Sequence, residues 1–269
     1  MDGRLTDAMT HLSLIRGFRR LRRNTICRLS LRFPALVRWL HTPRPFLMQR
    51  HEYRGSSTVR DLLVLLPGIG DSAEDFERYG FVAPVRRIEW PVDMVMVDAH
   101  YGYYADRTVL RELHEGVFRP AKACGYRHIW IAGISLGGFG ALLYASRYPE
   151  DVTGVLAIAP FLGGHDLVQE IARADGLTRW AGEEAEQEDY PRQLWQWLRR
   201  SLPERSGPHL YLAFGTRDIF APAHRLLAAS LSPERVFIEP GEHDWPTWRT
   251  LWARFLRDAP EATSRSDNR

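Results

Sequence analysis

Apolar positions follow two unlike patterns along this chain, and the change falls near residue 50. Between Leu12 and Leu40 they recur at helical spacing among arginines. Leu14, Phe18 and Leu21 fall on one face, and Ile26, Leu29, Phe33, Leu36 and Leu40 on another, with Pro34 expected to kink or divide the helix. Thr42-Pro43-Arg44-Pro45 ends that pattern, and His51 to Arg60 reads as a short strand and turn. From Asp61 onward, short apolar runs alternate with longer amphipathic ones. Strands are expected at Leu62 to Leu66, Met94 to Val97, His128 to Ala132, Val155 to Ala159, Leu210 to Phe214 and Arg235 to Ile238. Helices are expected at Ser72 to Tyr79, Arg107 to Ala123, Gly138 to Arg147, Pro222 to Ala229 and Pro246 to Asp258. Strand and helix in alternation predict an α/β fold with a mostly parallel, doubly wound sheet covered on both faces. The expected organisation is an arginine-rich helical arm over 1–50 and one α/β body over 51–269. Within the body lie a short helical cap insertion at about 161–208, expected to border the pocket, and a polar tail from about 259.

Composition sharpens that division. The 269 residues are 45% hydrophobic, enough for one large domain with a substantial core. The formal charge of +3 is an average of unlike parts: residues 1–50 carry eleven arginines against Asp2 and Asp7, a net of +9, so the remainder is acidic. A basic arm on an acidic body argues against nucleic acid as a partner. Every basic residue but Lys122 is arginine, a bias with no functional reading of its own. Cys27 and Cys124 lack metal-ligand spacing, and Cys124 reads as a buried apolar residue. No run approaches the roughly 20 apolar residues of a membrane span, and Arg16 to Arg23 interrupts the one candidate for a signal-peptide core. The expected compartment is therefore cytoplasmic, and the arm has three readings: peripheral contact to anionic lipid through residues 12–40, docking on the acidic insertion, or an organelle-targeting peptide, the first two preferred. Oligomeric state leaves no mark in the sequence.

The chemistry concentrates where the third long strand ends. Ile129-Trp130-Ile131-Ala132 runs into Gly133-Ile134-Ser135-Leu136-Gly137-Gly138, and a helix follows. A serine in so sharp a strand-to-helix turn is held in a strained conformation with its hydroxyl outward, and the flanking glycines remove the Cβ atoms that would collide. It also sits at a helix N-terminus, which favours developing negative charge. A serine nucleophile needs a base, and the base needs an orienting carboxylate, in the order Ser, acid, His for this turn. Gly215-Thr216-Arg217-Asp218 after one strand supplies Asp218, and Gly241-Glu242-His243-Asp244-Trp245 after the last supplies His243. Asp166 is the rival acid, following the Val155 strand, whereas Asp71, Asp98 and Asp244 read as loop or capping residues. Oxyanion donors are expected from the N–H of Leu136 and, by analogy with H-G-x-G loops, of Ile69 in Pro67-Gly68-Ile69-Gly70-Asp71, with Pro67 where His is usual. Gly68-x-Gly70 lacks the third glycine of a dinucleotide fingerprint.

Gly133 to Gly138, Gly68 to Ser72, Gly215 to Asp218 and Gly241 to Trp248 together resemble the α/β-hydrolase superfamily, over about residues 60–258. Gly241-Glu242-His243-Asp244-Trp245-Pro246-Thr247-Trp248 and Tyr101-Gly102-Tyr103-Tyr104, read as a tyrosine-rich loop, are similar to its esterase D, feruloyl esterase and mycolyltransferase-like branch. The resemblance implies a carboxylic ester hydrolase acting on a small-molecule ester or thioester, with Ser135, Asp218 and His243 as triad and Ile69 and Leu136 as oxyanion donors. Gly68, Gly70, His100, Tyr101, Tyr103 and Trp245 are candidates for the substrate pocket. Serine acyl transfer calls for no metal and no organic cofactor. A thioesterase or acyltransferase would use the same residues, and a non-catalytic binding protein on this scaffold is the reading from another class. Trp180, Trp195 and Trp197 are expected to pack the insertion onto the body, with Glu183, Glu184, Glu186, Glu188 and Asp189 a solvated face.

Overall fold

The computed structural model describes residues 48–53, 61–88, 90–182, 185–186, 189–204 and 207–259. The arm over 1–47, the turn expected up to Arg60, Cys27, three acids of the insertion (Glu183, Glu184 and Glu188) and the tail beyond Ala259 lie outside them.

Among the described residues, seven strands form one sheet: β1 (Met48–His51), β2 (Asp61–Leu66), β3 (Val92–Val97), β4 (His128–Ile134), β5 (Gly154–Ile158), β6 (His209–Gly215) and β7 (Val236–Glu239). Their order is β1-β3-β2-β4-β5-β6-β7, with β1 antiparallel to β3 and every other pair parallel. The six expected strands are present. The short strand read from His51 instead ends there, pairing Met48 with Val97 and His51 with Met94 at the sheet edge.

Asp61-Leu62-Leu63-Val64-Leu65-Leu66 shows why the sheet is buried on both sides. Side chains alternate across a strand, and Leu62, Val64 and Leu66 enter one core cluster while Leu63 and Leu65 enter the other. Among the described residues, ten α-helices follow in chain order: α1 (Ala73–Arg78), α2 (Val82–Arg87), α3 (Tyr101–Ala105), α4 (Val109–Leu113), α5 (Arg119–Ala123), α6 (Leu136–Arg147), α7 (His165–Arg173), α8 (Tyr190–Glu204), α9 (Ala221–Ala228) and α10 (Trp245–Asp258). Buried residues of α1, α2 and α10 line the cluster around Leu63 and Leu65, and those of α4 to α9 the cluster around Leu62 and Val64.

Three expectations are corrected. The helix expected from Arg107 to Ala123 is two short α-helices joined by a π-helical turn at His114–Phe118. Pro120 lacks an N–H and crowds the carbonyl four residues back, and the backbone widens just before it. Tyr101 to Tyr104 is helix α3 rather than a loop, because His100 caps it by accepting the N–H of Gly102 on Nδ1 at 3.1 Å. Cys124 is exposed at the C-cap of α5, not buried, since that helix turns its apolar Ala121 inward and ends where Gly125 takes a left-handed φ of 86°.

The segment between β5 and β6 carries α7 and α8. Trp180 and Trp195 are buried there, and Trp195 Nε1–H donates to Leu162 O at 2.7 Å. Trp197 is partly buried against the same core. Arg192 donates twice to Glu170, at 2.8 and 2.7 Å, and Trp180 Nε1–H donates to Glu170 at 2.8 Å, which joins the two helices. These hydrogen bonds to Glu170 pull its carboxyl down to about 2.

Candidate active site

Parallel strands deliver their following loops to one sheet edge, and the residues singled out for chemistry meet there. Ser135 leaves β4 at φ 54° and ψ −112°, outside the regions an L-residue prefers, and is the N-cap of α6. Gly133 lets the turn close on itself, and Gly137 lets the end of β2 approach it. A Cβ on Gly133 would lie 2.1 Å from Gly137 O, and one on Gly137 would lie 2.2 Å from Leu66 O.

His243 stands in the loop after β7, and Asp218 in the loop after β6. His243 Nε2 is 2.9 Å from Ser135 Oγ, and its Nδ1 is 2.7 Å from Asp218 Oδ2. A carboxylate opposite Nδ1 selects the tautomer with its proton there, leaving the Nε2 lone pair to accept the serine O–H. The other oxygen of Asp218 accepts the N–H of Phe220 at 2.8 Å. Both loops are laced together by Thr216 N–H donating to Glu239 O and Arg217 N–H to Gly241 O, each at 2.9 Å. The imidazole is gripped by ring edges: Phe220 at 5.2 Å and Trp248 at 5.0 Å, both near perpendicular. Only 13% of the His243 side chain and none of Asp218's is exposed, so their attraction operates away from bulk water.

Asp166 is exposed in the first turn of α7, so Asp218 and not Asp166 meets the imidazole. Asp244 caps α10, accepting from Thr247 N–H at 3.1 Å and Thr247 Oγ1 at 2.7 Å. The loop after β2 overlies the serine turn: a Cβ on Gly68 would be 3.6 Å from Ser135 Cβ. Gly70 takes φ 78°, and Asp71 N–H closes the turn on Gly68 O at 3.1 Å. Leu136 begins α6 with Ser135 as its cap, where the first N–H groups of a helix have no intrahelical acceptor.

The pocket candidates spread over the same edge. Tyr103 lies against His100 with ring centroids 4.5 Å apart, and burial pushes the hydroxyls of Tyr101 and Tyr103 up. Trp245 is buried among Phe76, Tyr79, Phe81 and Trp248, and its Nε1–H donates to Asp71 Oδ1 at 3.3 Å. These contacts make it a strut between the loop and helices after β2 and the start of α10. Phe161, Phe220 and His224 had no local signal in the sequence. Among the described residues, no group of three His, Cys, Asp or Glu side chains is placed to hold a metal ion.

Sheet order, serine turn and hydrogen-bonded Ser–His–Asp side chains define an α/β-hydrolase. Residues 119–259, more than half of the chain, match the family described as "Putative esterase", and the chain belongs to that family. It is a carboxylic ester hydrolase acting on small-molecule esters. Solved structures share its fold at low identity. S-formylglutathione hydrolase from Staphylococcus aureus is 16% identical at a TM-score of 0.52, over 81% of this chain and 98% of that one. A ferulic acid esterase is 15% identical at 0.56, over 81% and 97%. Est1E from Butyrivibrio proteoclasticus is 16% identical at 0.52, over 80% and 93%. A comparison with curated proteins returns no match. No helix among the described residues is long and apolar enough to cross a membrane.

Proposed function

We propose that Ser135 is the nucleophile of this esterase, His243 its general base and acid, and Asp218 the carboxylate that orients the base. The observation that carries the reading is the unbroken pair of hydrogen bonds, 2.9 Å from Ser135 Oγ to His243 Nε2 and 2.7 Å from His243 Nδ1 to Asp218, converging on a residue with a left-handed φ. Ser135 Oγ attacks the ester carbonyl as its proton passes to His243 Nε2, and Asp218 stabilises the imidazolium. The N–H groups of Ile69 and Leu136 receive the carbonyl oxygen as it becomes negative. Expulsion of the alcohol, protonated by His243, leaves an acyl-enzyme on Ser135, and water activated by His243 releases the acid.

A fluorophosphonate probe tests the nucleophile. The wild type should label and Ser135→Ala should not; equal labelling of the two would refute the assignment. His100, Tyr101, Tyr103, Gly68 and Gly70 are proposed to border the acyl or alcohol group, which rates on p-nitrophenyl esters of increasing acyl length, beside acyl-thioesters, would map. For the arginine-rich arm, contact of residues 12–40 with anionic lipid is proposed from sequence alone. Vesicles rich in phosphatidylserine should pellet the full chain but not a form lacking residues 1–50, and equal pelleting would remove that role.

A further inference from the structure

One neighbouring turn grips the backbone of Ser135 from both sides. Ser135 N–H donates to Ile158 O at 2.9 Å, and Ser135 O accepts the N–H of Phe161 at 3.0 Å. Between those two partners lies Ala159, fully buried at φ 46°, another non-glycine residue in the left-handed region. Such a conformation persists only where its surroundings over-determine it. Three contacts do so here. Ala159 N–H donates to Ala213 O of β6 at 2.7 Å. Pro160 packs so closely on α6 that a Cβ on Gly138 would lie 3.1 Å from its Cα and Cβ. Pro160 O, in turn, is 2.8 Å from Nε2 of His224.

A carbonyl can only accept, so Nε2 carries the imidazole proton and Nδ1 presents a lone pair. His224 is completely buried in α9, and its Nδ1 has no hydrogen-bond partner among the described residues. Burial pushes its pKa down to about 4, with the charge of Asp218 pulling weakly the other way, so the ring is neutral at physiological pH. Leaving a polar nitrogen unpaired in the core is unfavourable, and an apolar side chain would avoid it. What an apolar side chain lacks is the N–H that reaches Pro160.

The same stretch also touches the base. Asp218 accepts the N–H of Phe220, whose ring lies edge-on to His243, and His224 follows one helical turn later, its N–H donating to Phe220 O at 3.1 Å. Phe161 stands between Phe139 and Phe220, with ring centroids 5.7 Å from each. Residues 218–224 thus carry the acid, a ring against the base and a tie to the turn behind the serine.

We propose that His224 is a positioning residue for ester hydrolysis: through Pro160 O it fixes the 158–161 turn, which accepts the Ser135 N–H and donates to Ser135 O, an oxygen that also accepts the N–H of Phe139 at 3.0 Å. The inference rests on Ser135 being the nucleophile. Geometry at a reacting group is costly to disturb, since a displacement of about 1 Å can cost on the order of a hundredfold in rate.

The test compares His224→Phe, which keeps a ring but no donor, with His224→Gln, whose amide nitrogen stands in for Nε2. Both are measured for melting temperature, for kcat and KM on a p-nitrophenyl ester, and for the rate of fluorophosphonate labelling. His224→Phe should lose about tenfold or more in kcat and labelling rate with KM little changed, and His224→Gln should recover most of that loss. If His224→Phe does not fold, His224→Asn replaces it with the same expectation, because its shorter amide mimics Nδ1 and cannot reach Pro160 O. Unchanged kcat in the donor-free variant, or equal losses in the Phe and Gln variants, would overturn the role. A Ser135→Ala control run alongside separates the two claims: labelling of that control would fault the nucleophile, whereas its silence leaves the His224 comparison to judge this proposal alone.

Discussion

Trp245 and Asp71, 174 positions apart in sequence, are joined by an indole N–H donated to a carboxylate oxygen at 3.3 Å. The bond ties the loop after β2, which carries the proposed oxyanion donor Ile69, to the first residue of α10, two positions past His243. Trp245→Phe keeps ring contacts with Phe76, Tyr79 and Phe81 while removing the donor. The expected cost is about 1–2 kcal/mol in stability, because the bond has a carboxylate acceptor. If the strut also aligns Ile69 N–H, kcat should fall about threefold or more with KM little altered, since an oxyanion donor acts chiefly in the transition state. Steady-state kinetics beside a denaturant titration decide it. Loss of stability with unchanged kcat would make the bond purely structural.

Asp218 and Asp166 both follow parallel strands, yet only Asp218 meets His243. Replacing Asp218 with Asn leaves the shape and inverts the hydrogen-bond character facing Nδ1, which favours the wrong imidazole tautomer. A loss of about 10³–10⁴-fold in kcat is expected for Asp218→Asn. Asp166→Asn, at an exposed position, should leave kcat unaltered. The reverse ranking in a p-nitrophenyl ester assay would reassign the acid.

The meeting of Ser135, Asp218 and His243 was legible because each follows a strand whose apolar run is visible in isolation: Ile129 to Ala132 before Ser135, Leu210 to Phe214 before Asp218, Val236 to Ile238 before His243. A parallel sheet then brings the ends of those strands to one edge without further information. The need for glycine at 133 was legible because its clash, with Gly137 O, lies within five residues, whereas Gly137 meets Leu66 O of a distant strand. His224 was not. Its bond to Pro160 spans 64 positions, and its place in α9 looks like any helical residue until β5 and β6 are side by side. Helix α3 escaped for a different reason: Gly102 and the run of tyrosines argue weakly for a helix, and the cap from His100 outweighs that propensity. Cys124 was misplaced because one apolar residue near a helix end does not reveal which way that end faces.

Gly137 and Gly70 are needed for opposite reasons, and alanine distinguishes them. At Gly137 a Cβ would lie 2.2 Å from Leu66 O and 2.5 Å from Pro67 O, both backbone atoms that cannot swing aside. Gly137→Ala should therefore cost about 2–3 kcal/mol or more and displace the loop after β2 from the serine, with activity falling beyond what lost stability explains. Gly70 has open space around its Cβ position, and its φ of 78° is the sole obstacle. Gly70→Ala should cost only about 1–2 kcal/mol, the penalty for an L-residue in that region. Urea titrations of both variants check the ranking. Equal costs would mean that the approach of α6 to the loop is softer than the geometry indicates.

His224 should also leave a signature in the acid stability of the protein. Its pKa is pushed down from 6.5 to about 4 by burial in the folded chain, while the unfolded chain leaves it near 6.5. Between those values the unfolded state binds a proton that the folded state refuses, so stability falls as pH drops. The sign follows: the contribution is neutral above about pH 6.5, grows against folding as pH falls, and levels off below about 4 at roughly 3 kcal/mol. Replacing His224 with Gln removes the titrating group but keeps a donor toward Pro160. Urea midpoints of the wild type and His224→Gln, measured from pH 7.5 to 4, should therefore separate as the solution is acidified, with the wild type losing more. Parallel curves across that range would mean that the imidazole gains its proton without leaving the fold, and that its site is less closed than its burial implies.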